Sequence, residues 1–328
     1  MIKKKIMILC LIIFFSIIFL FCIDNRVVTK NSDLYDLEIS PSSTEVLPSV
    51  SPHRGRILEF SENKEMPDEV KALYRAYSNF IDEIKYVNDD WLITIRGVDL
   101  YWAGGKLLPP NKKTDEDKYR SYGFYKYPDE LPEIVKEADA QMLERFNRYT
   151  NIRENLQRDN TFLETLYGGK NLKEIQKHLK VINILGFRAE AHDSIIDRYY
   201  AIDKEIKEAA LRNPEVKQFL SSLGSASTFI WRDIENSKSK SYHSFGIAMD
   251  INPKKLGNKQ IYWNWTSNYN EKWYSVPYSQ RWMVHPEVIR IFEKYGFVWG
   301  GKWLPFDNMH FEYRPEILIF SGKEVAGL

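Results

Sequence analysis

Cysteine is almost missing from this 328-residue chain: Cys10 and Cys22 are the only two. No cysteine follows position 22, so the main body has no structural disulfide, iron–sulfur cluster, cysteine-ligated zinc or cysteine nucleophile. An excess of one charge is missing too. Lys and Arg number 46 against 45 Asp and Glu, a formal net charge of +1, which argues against a nucleic-acid partner held by a broad basic surface. No internal repeat is visible. There is also no HExxH helix, G-x-S-x-G elbow, Walker A loop or G-x-G-x-x-G turn. Apolar residues are plentiful at 44%, with 14% aromatic, so the chain can build a core of one or two domains.

The first 23 residues read as a signal peptide or membrane anchor. Lys3, Lys4 and Lys5 precede an apolar run, Ile6 to Ile23, whose one clearly polar residue is Ser16. At ~1.5 Å per residue such a helix covers roughly 27 Å, close to a bilayer core. The lysines stay cytoplasmic and the rest lies outside, which predicts a cell-envelope location. Cys22 offers a lipid-acceptor alternative, although Phe21 stands where a lipoprotein signal has a small residue. Residues 24–56, with Ser40-Pro-Ser-Ser-Thr, Pro48 and Pro52, read as a flexible linker.

Residues 57–180 read as a helical and hairpin region of unassigned role. Val70, Leu73, Tyr74, Tyr77, Phe80, Ile81 and Ile84 recur every three or four positions and predict a helix from Pro67 to Tyr86. Trp91–Leu100 predicts a strand, and Val98–Pro109, with Gly104-Gly105, a hairpin. Helices are expected near Leu131–Tyr149 and Asn171–Leu179. In residues 181–328 the pattern predicts a strand over Val181–Ala191 and a helix over Asp193–Ala210 with Asp193 as its N-cap. A short helix follows from Asn213-Pro214 to Leu223. The expected class is α+β: a small antiparallel sheet with flanking helices, rather than regular βαβ alternation.

The chemistry has to come from six histidines, His53, His178, His192, His243, His285 and His310. His285 before Pro286, His192 after a strand and His178 on a charged helix read as structural or solvated. The other two sit in clusters. In Ser241-Tyr-His-Ser-Phe-Gly-Ile-Ala-Met-Asp250-Ile-Asn252, strand alternation puts Ala248, Asp250 and Asn252 on one face. Gly246 lets the chain turn so that His243 returns toward Asp250. In Asp307-Asn-Met-His310-Phe-Glu312-Tyr, His310 and Glu312 share a strand face. Asp307 joins the same site only if Pro305–Met309 is a loop. Taken singly, each cluster reads equally well as ordinary strand and turn. Together they supply two histidines and a carboxylate as zinc ligands, plus a spare carboxylate suited to a water proton. Three protein ligands with an open position is the pattern of catalytic zinc. The aromatic run Tyr262-Trp263-Asn264-Trp265, with Trp273 and Tyr274, reads as packing or as a stacking surface.

The segments SYHSFGIAMDIN, HPEVIRIFEKYGFVWGGKW and FDNMHFEY resemble the zinc D,D-carboxypeptidase and L-alanyl-D-glutamate endopeptidase family, which includes VanY- and VanX-type enzymes and phage endolysins. The resemblance runs from Val181 to Tyr313 and is densest from Trp231 on. It implies that His243, Asp250 and His310 bind one zinc ion per chain, that Asp307 is the catalytic base, and that Arg232 supports a substrate carbonyl or carboxylate. It also implies peptidoglycan stem peptides as partners. Asp rather than Glu at the base position leans toward the endopeptidase branch. A non-catalytic cell-wall-binding or scaffolding protein with the same fold is the competing expectation, and loss of a ligand or the base would be its mark. All four residues are present.

Overall fold

The computed structural model describes residues 56–57, 64–137, 156–234 and 239–328, with side chains from Lys64 onward. The apolar segment 1–23, His53 and the linker, apart from the backbone of Arg56, lie outside the described residues. Among the described residues, no helix is long and apolar enough to cross a membrane.

The first sheet has five strands in sequence order: β1 (Arg56–Ile57), β2 (Ile81–Val87), β3 (Asp90–Ile95), β4 (Val98–Ala103) and β5 (Lys106–Leu108). Helix α1 (Asp68–Tyr77) precedes β2 and buries Val70, Leu73 and Tyr77, with Asp68 and Glu69 at its positive end. The helix expected to reach Tyr86 therefore stops nine residues early, and its last third is strand β2. The reason lies in the β-bulge between Ile81 and Glu83. The extra residue lets Ile81 and Ile84 face the same core, so a strand imitates the i, i+3 spacing of a helix. The expected strand Trp91–Leu100 is two strands, reversed at Arg96-Gly97 with φ of 48° and 74°. That is a type I′ hairpin geometry, and an Arg in its first position hides it from sequence reading. The Gly104-Gly105 hairpin forms as expected.

Helices α2 (Thr161–Leu166) and α3 (Leu172–Ile175) follow. Of the helix expected at Leu131–Tyr149, residues 131–137 are irregular and 138–149 lie outside the described residues. The single strand expected over Val181–Ala191 is also a hairpin, β6 (Leu179–Ile184) and β7 (Phe187–His192), turning at Leu185-Gly186. His192, not Asp193, caps the next turn: its ring nitrogen accepts from Ser194 N–H. The chain continues into α4 (Ile196–Arg212) and α5 (Pro214–Ser222), whose cap is Asn213.

The C-terminal sheet has four strands, β8 (Leu223–Ser227), β9 (Ala248–Pro253), β10 (Phe297–Trp299) and β11 (His310–Tyr313), in the spatial order β10-β11-β9-β8. All pairings in it are antiparallel. Between β9 and β10 run α6 (Trp263–Ser267) and α7 (Pro286–Lys294). His285 caps α7 by accepting from Glu287 N–H, and α7 packs Phe292 against Phe297 and Phe311. Helix α8 (Pro315–Phe320) follows β11. The mixture of helices and small antiparallel sheets matches the expected class. One contiguous buried apolar cluster runs from Met66 in the first region to Ile319 in the last.

Candidate metal centre

Sheet register brings the site together. On β9 and β11, Asp250 lies directly opposite His310, and directly opposed residues project from the same face. His243 arrives from outside the sheet, on the 3₁₀ turn Tyr242–Phe245. Ser241 caps that turn through His243 N–H at 3.3 Å. Gly246 ends it at φ 66°, where an added Cβ would stand 2.8 Å from Leu179 and 2.9 Å from the His192 nitrogen. The left-handed backbone and the close approach both require glycine there.

His243 Nε2 and Asp250 Oδ1 are 3.2 Å apart, His310 Nδ1 and Asp250 Oδ1 2.8 Å, and the two nitrogens 3.2 Å. A tetrahedral zinc with bonds of about 2.0–2.1 Å sets its ligand atoms about 3.3 Å apart. The triangle is therefore nearly at metal-binding size. The far ring nitrogens fix the tautomers. His243 Nδ1 lies 2.5 Å from the Thr228 carbonyl, which can only accept, so Nδ1 carries the proton and Nε2 offers its lone pair. His310 Nε2 faces the Glu312 carboxylate at 3.2 Å, which leaves Nδ1 for the site.

The electrostatics call for a cation. Burial pushes the Asp250 carboxyl up, but the charges and hydrogen bonds of His243 and His310 outweigh it and hold the group well below the usual range. Burial pushes His310 down, but the hydrogen bonds to Asp250 and Glu312 raise it well above an ordinary histidine. A proton or a divalent ion meets that demand, and the donor set of two imidazoles and one carboxylate suits zinc.

Asp307 lies in the loop before β11, as the shared-site reading required. Its backbone pairs with Tyr262, and its carbonyl accepts from His310 N–H at 3.2 Å. Its Oδ1 is sealed from solvent without a hydrogen-bond partner. Burial raises its carboxyl to about 7; the His310 charge opposes that rise, and Asp250 and Glu312 add to it. The exposed Arg232 acts on Asp307 with its positive charge, and its backbone is pinned by Ser244 Oγ, which accepts from Arg232 N–H at 2.9 Å. Half-buried Trp303 packs 5.8 Å from the His310 ring and donates from Nε1 to Tyr125 at 2.8 Å.

A second group, His178, His192 and Asp193, also has metal-ligand spacing. His192 Nε2 donates to the Tyr167 carbonyl at 2.9 Å, and Nδ1 accepts from the Ser194 amide and hydroxyl. Both nitrogens of His192 are occupied, so it has no free lone pair to offer an ion as His243 and His310 do. Sequence reading placed Glu312 beside His310 without giving it a task, and it missed Thr228, which nothing in the local sequence links to His243.

A family model described as D-alanyl-D-alanine carboxypeptidase matches residues 235–313, and one described as a domain of unknown function matches residues 69–124. No curated protein and no solved structure matches the chain. The first match spans His243, Asp250, Asp307 and His310 and supports a peptidase, over well under half of the chain.

Proposed function

We propose that the protein is a zinc-dependent peptidase that cuts peptidoglycan stem peptides, as a D-Ala-D-Ala carboxypeptidase or an L-Ala-D-Glu endopeptidase. The observation that carries this is the convergence of His243 Nε2, Asp250 Oδ1 and His310 Nδ1 within 3.2 Å of one another. These three residues hold the ion. When bound, zinc supplies Lewis-acid polarisation of the scissile carbonyl and acidifies water. Asp307 takes the water proton and returns it to the leaving amine. Burial raises this carboxyl above the ordinary aspartate range, a direction that suits both transfers near neutral pH. Arg232, exposed beside Asp307, steadies the developing oxyanion or a substrate carboxylate.

Mass spectrometry of muropeptides incubated with the purified protein tests the reading. Loss of a terminal D-Ala and scission at L-Ala–D-Glu give different products; unchanged muropeptides with zinc bound would leave a wall-binding role instead. The envelope location belongs to the same proposal: Lys3–Lys5 and Ile6–Ile23 tether the catalytic part outside the cytoplasmic membrane. Full-length protein should sediment with membranes and be cut by protease added to spheroplasts. Recovery in the cytosol, protected from that protease, would refute the location.

A further inference from the structure

Glu316 is a fully buried carboxylate at the start of α8. A buried charge without partners is severely destabilising, and three donors surround this one. Arg314 Nε donates to its Oε1. The other two come from the N-terminal region: Tyr77 OH donates to Oε2 at 2.7 Å and Tyr122 OH to Oε1 at 3.2 Å. Tyr77 is the last residue of α1 and Tyr122 follows the five-stranded sheet. Both therefore fall in the stretch matched by the model of unknown function.

The chain of charges continues inward. Arg314, also buried, reaches Glu312 with Nη1 at 3.6 Å from Oε2. Its guanidinium is further held over the rings of Tyr122 and Tyr242, at 4.9 and 5.1 Å, and Tyr242 immediately precedes His243. Glu312 Oε1 then receives the His310 Nε2 proton at 3.2 Å. His310 can present Nδ1 to the site only while Glu312 fixes its tautomer and ring angle. Glu312, in turn, is aimed by an arginine whose position depends on two tyrosines about 190 and 235 residues earlier.

We infer that the N-terminal region positions the metal centre: Tyr77 and Tyr122 close a buried relay, Glu316–Arg314–Glu312, that sets the orientation of His310. The inference rests on the metal reading above, and gives the unassigned region 69–124 a task. Tyr77, Tyr122, Glu316, Arg314 and Glu312 are positioning residues; none touches the reacting atoms.

The test measures metal rather than turnover. Full-length wild type, Tyr77→Phe/Tyr122→Phe and Leu73→Ala are titrated with zinc against a competing chelator, and the visible bands of their cobalt(II) forms are recorded. The double Phe variant removes two donors and almost no volume, so it should fold. Removing support of this kind typically weakens metal affinity about 10–100-fold, and the cobalt bands should shift. Leu73→Ala, buried in α1 outside the relay, should lose thermal stability yet keep both the affinity and the cobalt spectrum. Unchanged affinity and bands in the double variant would overturn the inference, as would an equal loss in Leu73→Ala. Wild type that binds zinc tightly but cleaves no muropeptide would sink the proposed function and leave the relay standing, whereas wild type that binds no zinc would remove both.

Discussion

Two histidine pairs stand in this molecule with ring centroids 5.0 and 5.4 Å apart, His243–His310 and His178–His192, each beside an aspartate. Their spacing hardly distinguishes them; their hydrogen bonds do. In the first pair the ring protons point outward, to Thr228 and Glu312, which leaves two lone pairs facing the site beside the Asp250 carboxylate. In the second, His192 spends one nitrogen on the Tyr167 carbonyl and the other on capping the turn at Ser194. A histidine becomes a ligand through the acceptor behind it, which removes the wrong tautomer.

The strongest way to break the contrast is His243→Ala or His310→Ala. Either should abolish zinc binding, measured by elemental analysis, and activity with it. Zinc retained at one per chain in both variants would end the metal assignment. Zinc uptake by wild type should also weaken as pH falls, because protons compete for the same nitrogens and carboxylate.

Asp307→Asn should separate chemistry from binding. Zinc stays, and turnover falls about 10²–10⁴-fold. The base works ionised, and burial raises Asp307 against the opposing charges of His310 and Arg232. Wild-type turnover should therefore fall on acidification as Asp307 takes up a proton, with a midpoint that burial raises and the bound cation's charge lowers. A variant that still shows that acid limb would remove Asp307 from the mechanism. A smaller loss of about 10²–10³-fold in kcat, with zinc unchanged, is expected for Arg232→Ala if it steadies the oxyanion; wild-type kinetics would reduce it to a surface charge.

The smallest effects belong to the second pair. His192→Ala strips the buried Tyr167 carbonyl of its donor and should cost about 1–3 kcal/mol by denaturant unfolding. His178→Ala should change stability by about 0.5 kcal/mol or less. Both should keep one zinc per chain. A second equivalent of zinc, lost on His178→Ala, would make the two pairs alike after all.

The site was easier to read in the sequence than the first region. His243, Asp250, Asp307 and His310 lie in two short segments with strand alternation, and the structure brings the three expected ligands together at that spacing. The N-terminal region misled because local signals there imitate one another. A bulge at Ile81–Glu83 gave a strand the helical repeat, and the hairpin at Arg96-Gly97 put an arginine at positive φ; just past that region, the hairpin at Leu185-Gly186 did the same with a leucine. His285 could be recognised as structural from Pro286 alone. Glu312 was visible as a neighbour of His310, but its purpose was not, since that depends on Arg314 and Glu316 and on tyrosines far away in the chain.

By itself the sequence determined which donor atoms exist and in what order: two imidazoles, one carboxylate on a strand and another in a loop, with no thiol anywhere in the body. Side-chain chemistry and strand period are local properties, and local properties survive in a linear pattern. Only the tertiary structure decided that Asp250 faces His310 across 60 positions, that Thr228 and Glu312 choose the tautomers, and that Tyr77 and Tyr122 reach Glu316. Those outcomes depend on register and on long-range packing in one shared core, where a single hydrogen bond can join residues more than 200 positions apart.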